Sequence, residues 1–399
     1  MLQGLNNQKV LSFNQSLLLH NLYIHQKQSA AALAKTMGLS VTAVCRLAET
    51  LIAEDKVEYV KGDKPTRGRS SGLLTLKHHQ GFIACLNVRP TAIDYLMTTE
   101  YGEIVEDIKF LPITLTTKED LVATLKELIA TLHSNYPKAP FKVAIAMHGQ
   151  VDYQTGVSLF MPQAPWHSSL HLKYLLQKDL GIEVLVDNDC VMRALAQKWA
   201  LLRSDSELPD LCVINIDYGV GSAFLVNGSI FRGPLYSSGQ IGHTIVDPNG
   251  RICSCGRVGC LETIASAKSL QENINRQRRL LHMETALSFE ELLSAYQQGD
   301  LMVMQAVDFA ALNLGRAIYN FLNVININHI YLYGRMCEFG APFLSRIREQ
   351  ALLNPFDDGS LIKSVATSIE LGTLSEAEQL AGIGFLYAEN TLLDLGLNG

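Results

Sequence analysis

Four residues able to ligate a metal fall between positions 243 and 260: His243, Cys253, Cys255 and Cys260. The cysteines are spaced Cys-x-Cys-x-x-x-x-Cys, with Gly256 and Gly259 between the last two. Three thiolates and an imidazole make up the tetrahedral shell of a structural zinc. The glycines let the backbone turn sharply enough to aim three sulfurs at one point. The alternative is a set of buried or loosely paired cysteines; disulfide geometry suits Cys-x-Cys poorly, because its Cβ vectors converge only with strain. The spacing therefore predicts one structural zinc per chain. Cys45, Cys85, Cys190, Cys212 and Cys337 lie in apolar segments, as reduced core thiols do.

The elements that must position this loop are spread over 399 residues, a length for two or three domains. No run of about 18 apolar residues marks a membrane span, and the N-terminus lacks the pattern of a secretion signal. With free thiols, this predicts a cytoplasmic protein without membrane insertion. The net charge of −6 is uneven: residues 1–79 hold ten basic and five acidic residues, and the remainder 23 basic against 34 acidic. A basic head on an acidic body points to a nucleic-acid contact confined to the head.

The head reads as a winged helix-turn-helix over 1–79. An apolar-periodic helix covers 10–24. Ser29 caps a helix running to Met37, Gly38 permits a tight turn, and Ser40 caps a second helix from Val41 to about Ala53. That second helix would enter the major groove with Ser40, Thr42, Ala43 and Arg46 near its start. Val57–Val60 and Leu73–Leu76 form the two strands of a wing. Between them Arg67 and Arg69 could reach an A·T-rich minor groove; a solvated linker is the bland alternative.

From Gly81 onward the pattern is α/β. Strands are predicted at Phe82–Val88, Thr91–Met97, Gly102–Val105, Lys142–Met147, Glu183–Val186, Leu211–Ile216 and His329–Tyr333, with a hairpin turn at Val226-Asn-Gly-Ser. A helix is predicted from Asp120 to His133. Ser288-Phe-Glu-Glu291 is a capping box. Leu301–Leu322 reads as a long helix interrupted near Gly315, and Glu376–Asn390 as a closing helix with Gly382 and Gly384 allowing close packing.

The stretch from Gly239 to Glu262 also resembles the signature of the ROK family (repressors, open reading frames and sugar kinases). The family carries Gly-Glu-x-Gly-His followed by Cys-x-Cys-Gly-x-x-Gly-Cys-x-Glu. The second part stands intact from Cys253 to Glu262, while Gln240 replaces a glutamate that hydrogen-bonds the sugar. The head has the layout of ROK repressors, with a Gly-Arg-rich segment at the same point. The resemblance implies a duplicated actin-like, hexokinase-type domain over 80–399. Its first lobe would be about 80–190 plus the C-terminal helix and its second about 191–375, with the zinc loop at 243–260.

By the same resemblance the sugar site comprises Gly149, Asn188, Asp189, Gln240, His243 and Glu262. Gly149 belongs to a Pro-Gly-x-x-Asp loop in which His148 replaces the proline; helix capping is the structural alternative for Asp189. In the family's kinases the aspartate equivalent to Asp189 takes the sugar proton. Their phosphate loops, however, are broken here at Leu86–Thr91 and Asp217–Gly221, and only Gly334 remains of the adenosine-side glycines. The expectation is a non-enzymatic repressor of carbohydrate-utilisation genes. It would bind operator DNA, sense a sugar or sugar phosphate, and assemble as a homodimer or homotetramer. The alternatives are an active sugar kinase with an appended head, and a repressor sequestered by a sugar-transporter protein.

Overall fold

In the computed structural model, the described residues are 7–61, 72–77, 81–204, 206, 208–283, 285–352 and 367–394. Arg67 and Arg69 lie outside them. The N-terminal unit comprises α1 (Asn7–His25), β1 (Lys27–Gln28), α2 (Ala30–Met37), α3 (Val41–Ala53), β2 (Val57–Val60) and β3 (Leu73–Leu76). Ser29 and Ser40 cap α2 and α3 by accepting from Ala32 N and Ala43 N, and Gly38 makes the turn at φ +64°. The sheet gains a strand not read from the sequence: β1 pairs with β3, giving the order β1-β3-β2. Leu18 and Leu22 of α1 meet Leu33, Val44, Leu47 and Leu51 in this unit's core.

The body holds two five-stranded sheets. The first uses β4 (Phe82–Val88), β5 (Ala92–Thr99), β6 (Lys109–Pro112), β7 (Phe141–Met147) and β10 (Glu183–Asn188), with a hairpin of β8 (Gln150–Asp152) and β9 (Val157–Phe160) set between the last two. The second uses β11 (Leu211–Ile216), β12 (Val220–Val226), β13 (Ser229–Ile230), β14 (His329–Tyr333) and β15 (Ser368–Leu371). Their spatial orders, β10-β7-β4-β5-β6 and β13-β12-β11-β14-β15, are the same topology. In each, three antiparallel strands are followed by two parallel ones, reached through helices. This is the duplication that the family resemblance implies, and it is a repetition of topology.

Helices fill the layers. α4 (Lys118–Ser134) and α5 (Leu172–Leu180) cover the outer face of the first sheet. α6 (Asp189–Arg203) lies between the sheets. α7 (Glu262–Ala265), α8 (Ala267–Leu280), α9 (Phe289–Gln297), α10 (Leu301–Val324) and α11 (Gly340–Leu352) build the second sheet's outer core. α12 (Glu376–Ala381) and α13 (Leu386–Asp394) return to the centre beside α6. Alternate residues of β11 serve opposite cores, Cys212 and Ile214 outward and Leu211 and Val213 inward, as a pleated strand buried on both faces requires.

Three expectations need correction. Residues 102–105 do not open a strand; Gly102 turns at φ +73° and the edge strand is β6. α10 is not interrupted at Gly315. A Cβ there would lie 2.6 Å from Gln350 Cβ and Ile347 O, so the glycine serves the approach of α11. The C-terminal helix is divided by a 3-10 turn, Gly382–Phe385, where a Cβ on Gly382 would meet Met192 O at 2.2 Å. Among the described residues α10 alone is long and apolar enough to cross a membrane, and half of its most apolar window is buried inside the protein.

Candidate functional site

The ligand atoms of His243, Cys253, Cys255 and Cys260 all lie within 4.8 Å of one another. Zinc–sulfur bonds of about 2.3 Å and zinc–nitrogen bonds of about 2.0 Å at tetrahedral angles place sulfurs ~3.8 Å apart and sulfur and nitrogen ~3.5 Å apart. Cys255 Sγ lies 3.6 Å from Cys260 Sγ, and Cys253 Sγ 3.6 Å from His243 Nδ1. Both pairs match a tetrahedral zinc, and the four donors together could hold a metal ion. Bridges between Ile245 and Cys260 and between Ile252 and Val258 fold the loop. Gly259, at φ +78°, is held so close to Asp247 that a Cβ would lie 1.6 Å from its carbonyl oxygen. All eight cysteines are free, and Cys85, Cys190 and Cys212 are buried.

The loop buttresses a cleft between the two sheets, of about 1180 Å³ counted to its open mouth. Gly149, Asn188, Asp189, Gln240, His243 and Glu262 all line it. Backbone constraints set several of them. Gly149 sits at φ +101°, and a Cβ would meet Phe160 O at 2.2 Å. Gly239 and Gly242 run against β12, where Cβ atoms would lie 1.9 Å from Ser222 O and 2.0 Å from Val220 O. That contact seats Gln240 and the turn Ile241–His243. Glu262, the first residue of α7, accepts from Val220 N at 3.1 Å.

Asn188 and Asp189 divide the roles weighed for the aspartate. Asn188 is the cap of α6: its Oδ1 accepts from Cys190 N at 2.7 Å, and its Nδ2 donates to Gly149 O at 2.5 Å. Asp189, the next residue, faces His148 Nδ1 at 3.7 Å and Arg193 at 3.5 Å. Burial alone would raise the Asp189 pKa, but His148 and Arg193 outweigh it and hold it below the usual range. Burial would lower that of His148; Asp189, with help from Glu262, reverses this and raises it. The structure thus adds cationic partners that sequence reasoning missed. Arg193 stands one helical turn after Asp189, a spacing that could have been read. Arg232 could not: it reaches from beyond β13 to Asp187 at 2.6 Å and lies over the Tyr153 ring at 3.9 Å.

A second cavity adjoins the cleft and shares Asn87, Arg89, Arg193 and Asp217 with it. Arg89 is held by Asp94 at 2.5 Å. Asp94, Asp217, Glu338 and Glu376 all line this cavity. Burial, then Asp217, Glu290 and Glu376, raises the Glu338 pKa against the pull of Arg335. In the N-terminal unit, Ser40, Thr42 and Arg46 are exposed at the start of α3 and Ala43 is half-buried. Val41, which the sequence reading passed over, is also exposed there.

The pattern of the ROK family matches residues 83–362. The Escherichia coli (strain K12) protein YphH is 41% identical over 97% of this chain and 98% of its own length. The xylose repressor of Caldicellulosiruptor bescii is 24% identical over 86% of this chain and 88% of its own. A glucokinase of Thermotoga maritima is 25% identical over 64% of this chain and 82% of its own. Among solved structures, a ROK family transcriptional regulator homologous to the E. coli MLC protein superposes with a TM-score of 0.78 at 22% identity, covering 98% of this chain and all of that one.

Proposed function

The chain belongs to the ROK family, and from that premise we propose that it is a DNA-binding repressor of carbohydrate-utilisation genes, controlled by a sugar in the cleft between its sheets. Residues 1–79 serve as a winged helix-turn-helix head. Residues 80–399 form the sugar-binding body, with lobes at about 80–190 plus the C-terminal helices and 191–375. The start of α3, with Thr42 and Arg46 outward, reads the major groove. Two heads of a dimer then span two half-sites. The similarity to the xylose repressor includes most of this chain, whereas that to the glucokinase covers 64% of it.

Zinc, held by His243, Cys253, Cys255 and Cys260, supplies cross-linking of the loop rather than Lewis-acid chemistry, since four protein donors leave no open position. The observation that carries the non-enzymatic reading is the lining of the cleft where the family's kinases have their second phosphate cradle: Asp217 and Tyr218 stand there instead. Asp189, which faces His148 and Arg193, is placed to accept hydrogen bonds from sugar hydroxyls. The carboxylates around the adjoining cavity oppose a nucleotide triphosphate there. Arg89, Arg193 and Arg232 are each already engaged by a carboxylate, which favours an uncharged sugar over its phosphate.

The deciding experiment pairs a gel-shift assay on the gene's own upstream DNA with a thermal-shift screen of free sugars and their 6-phosphates. A free sugar that both raises the melting temperature and releases DNA supports the proposal. Coupled turnover of ATP and a hexose at kinase rates, on the order of 1–100 per second, overturns it. Gln240 in place of the family's glutamate favours a second reading, control by a sequestering transporter protein. Release of DNA by such a partner, with no sugar active, would select it.

A further inference from the structure

One helix runs from the cleft to the N-terminal unit. α6 begins with the Asn188 cap, bonded to Gly149 O, and with Asp189 facing His148 and Arg193. All ten residues from Cys190 to Trp199 are buried. The polar ones are tied down: Lys198 to both oxygens of Glu389 at 2.7 and 2.8 Å, and Gln197 accepting from Tyr333 Oη at 2.5 Å. At the far end the Trp199 ring stacks on Phe385 at 5.0 Å and is met edge-on by Tyr23 at 4.9 Å and His20 at 6.3 Å. Arg203 donates to Tyr101 O and lies over the Phe385 ring.

Tyr23 and His20 belong to α1. That helix places Leu18 and Leu22 in the N-terminal core and Ile24 in the core that contains Trp199. Tyr23 Oη also donates to Glu100 O at 2.7 Å, and Gln26 Nε2 to Glu103 Oε1 at 2.6 Å. Burial, with Lys198 and His25, lowers the His20 pKa to about 4, so an uncharged ring meets the indole at neutral pH.

We infer that α6 is the strut by which occupancy of the cleft reaches the N-terminal unit. The inference rests on the cleft being the effector site. A helix of fifteen residues spans about 22 Å. Packed on every side from Cys190 to Trp199, it has no room there to bend or repack locally, so a displacement at its first turn moves the rod as far as Trp199. Both contacts fall on Asp189 Oδ2, so a sugar hydroxyl donating to that oxygen competes with His148 and Arg193. The ligand therefore has its own preferred position for the first turn, which is what coupling demands. Trp199 and Arg203 then carry that shift into α1 and Tyr101.

Hydrogen exchange on the full chain tests this without knowledge of the effector. Asp189→Asn is expected to raise exchange several-fold across Leu18–His25 and to leave α9 unchanged. Gln240→Ala, in the same cleft but not on α6, leaves α1 unchanged. From the other end, Tyr23→Phe keeps the ring, removes the bond to Glu100, and is expected to alter exchange at residues 188–193. An Asp189→Asn effect that stops within the first turn of α6, or an equal response to Gln240→Ala, overturns the strut. Should D189N fail to fold, an unchanged pocket end in Y23F does the same. With D-xylose as the probe, calorimetric binding that leaves α1 protection unaltered also sinks it. No sugar binding, with D189N still altering α1, sinks the sugar reading and leaves the strut standing.

Discussion

Glu389→Gln is the sharpest test of how the body is bolted together. Glu389 is 7% exposed and Lys198 8%, and Glu389 also accepts from Trp199 Nε1 at 3.0 Å. The substitution keeps shape and keeps an acceptor for the indole. It removes the charge opposite a desolvated ammonium. Breaking one partner of a buried pair costs about 3–5 kcal/mol, a large share of the 5–15 kcal/mol or so by which domains are stable. Replacing both partners, Lys198→Met with Glu389→Leu, removes the stranded charge. Among the described partners it leaves the indole N–H unpaired, a cost of about 1–3 kcal/mol. The double variant is therefore expected to be more stable than the single one. Urea unfolding followed by tryptophan emission reads both. A single variant within about 1 kcal/mol of the parent would show that water reaches the pair and that the buried-ion argument is wrong.

Three further outcomes are expected. Elemental analysis should find one zinc per chain, reduced sharply in Cys255→Ala and accompanied by a lower melting temperature; unchanged metal content refutes the ligand set. Gly259→Ala, whose Cβ would lie 1.6 Å from Asp247 O, should weaken zinc retention against a chelator. By contrast Gly38→Ala, with nothing within 4 Å, costs only the left-handed strain of about 1–2 kcal/mol, and equal effects would discount the close approach. His148 has its pKa raised from 6.5, so its stabilisation is complete below that value and fades as pH rises through the folded-state value. Asp189, with its pKa lowered from 3.8, contributes above that value and loses its contribution on acidification through its folded value. The stability gap between wild type and His148→Gln should thus be widest near pH 6 and shrink toward alkaline pH. A gap that is flat or widens with pH contradicts the ion pair.

The His/Cys3 cluster was legible because its donors are close in sequence and its glycines announce the turns. So were α2, α3 and α9, whose capping serines are local signals. What depends on distant pairing was not. Nothing around Arg232 announces Asp187 as its partner, since a hairpin and a sheet must form before the two meet. β15, Ser368–Leu371, is too short to carry a period of its own and is defined by its parallel pairing with β14. Gly315 was misread for a related reason: a glycine inside a helix signals a break locally, and only the position of α11 reveals a close crossing. Asn188 and Asp189 were found as a pair, but that Asn188 caps α6 while Asp189 meets His148 and Arg193 was decided by backbone geometry.

α1 has one side in the core beneath α3 and the other against Trp199 and Phe385. The seam between the N-terminal unit, the proposed DNA reader, and the body, the proposed sugar sensor, therefore runs lengthwise along a helix. Cutting near residue 79 would split the two in sequence while stripping an aromatic wall from the sensor. A reader transplanted from a relative would function only if its first helix brought matching partners for that wall. Recombination between such chains is thus constrained at His20, Tyr23 and Ile24, positions outside both the start of α3 and the cleft.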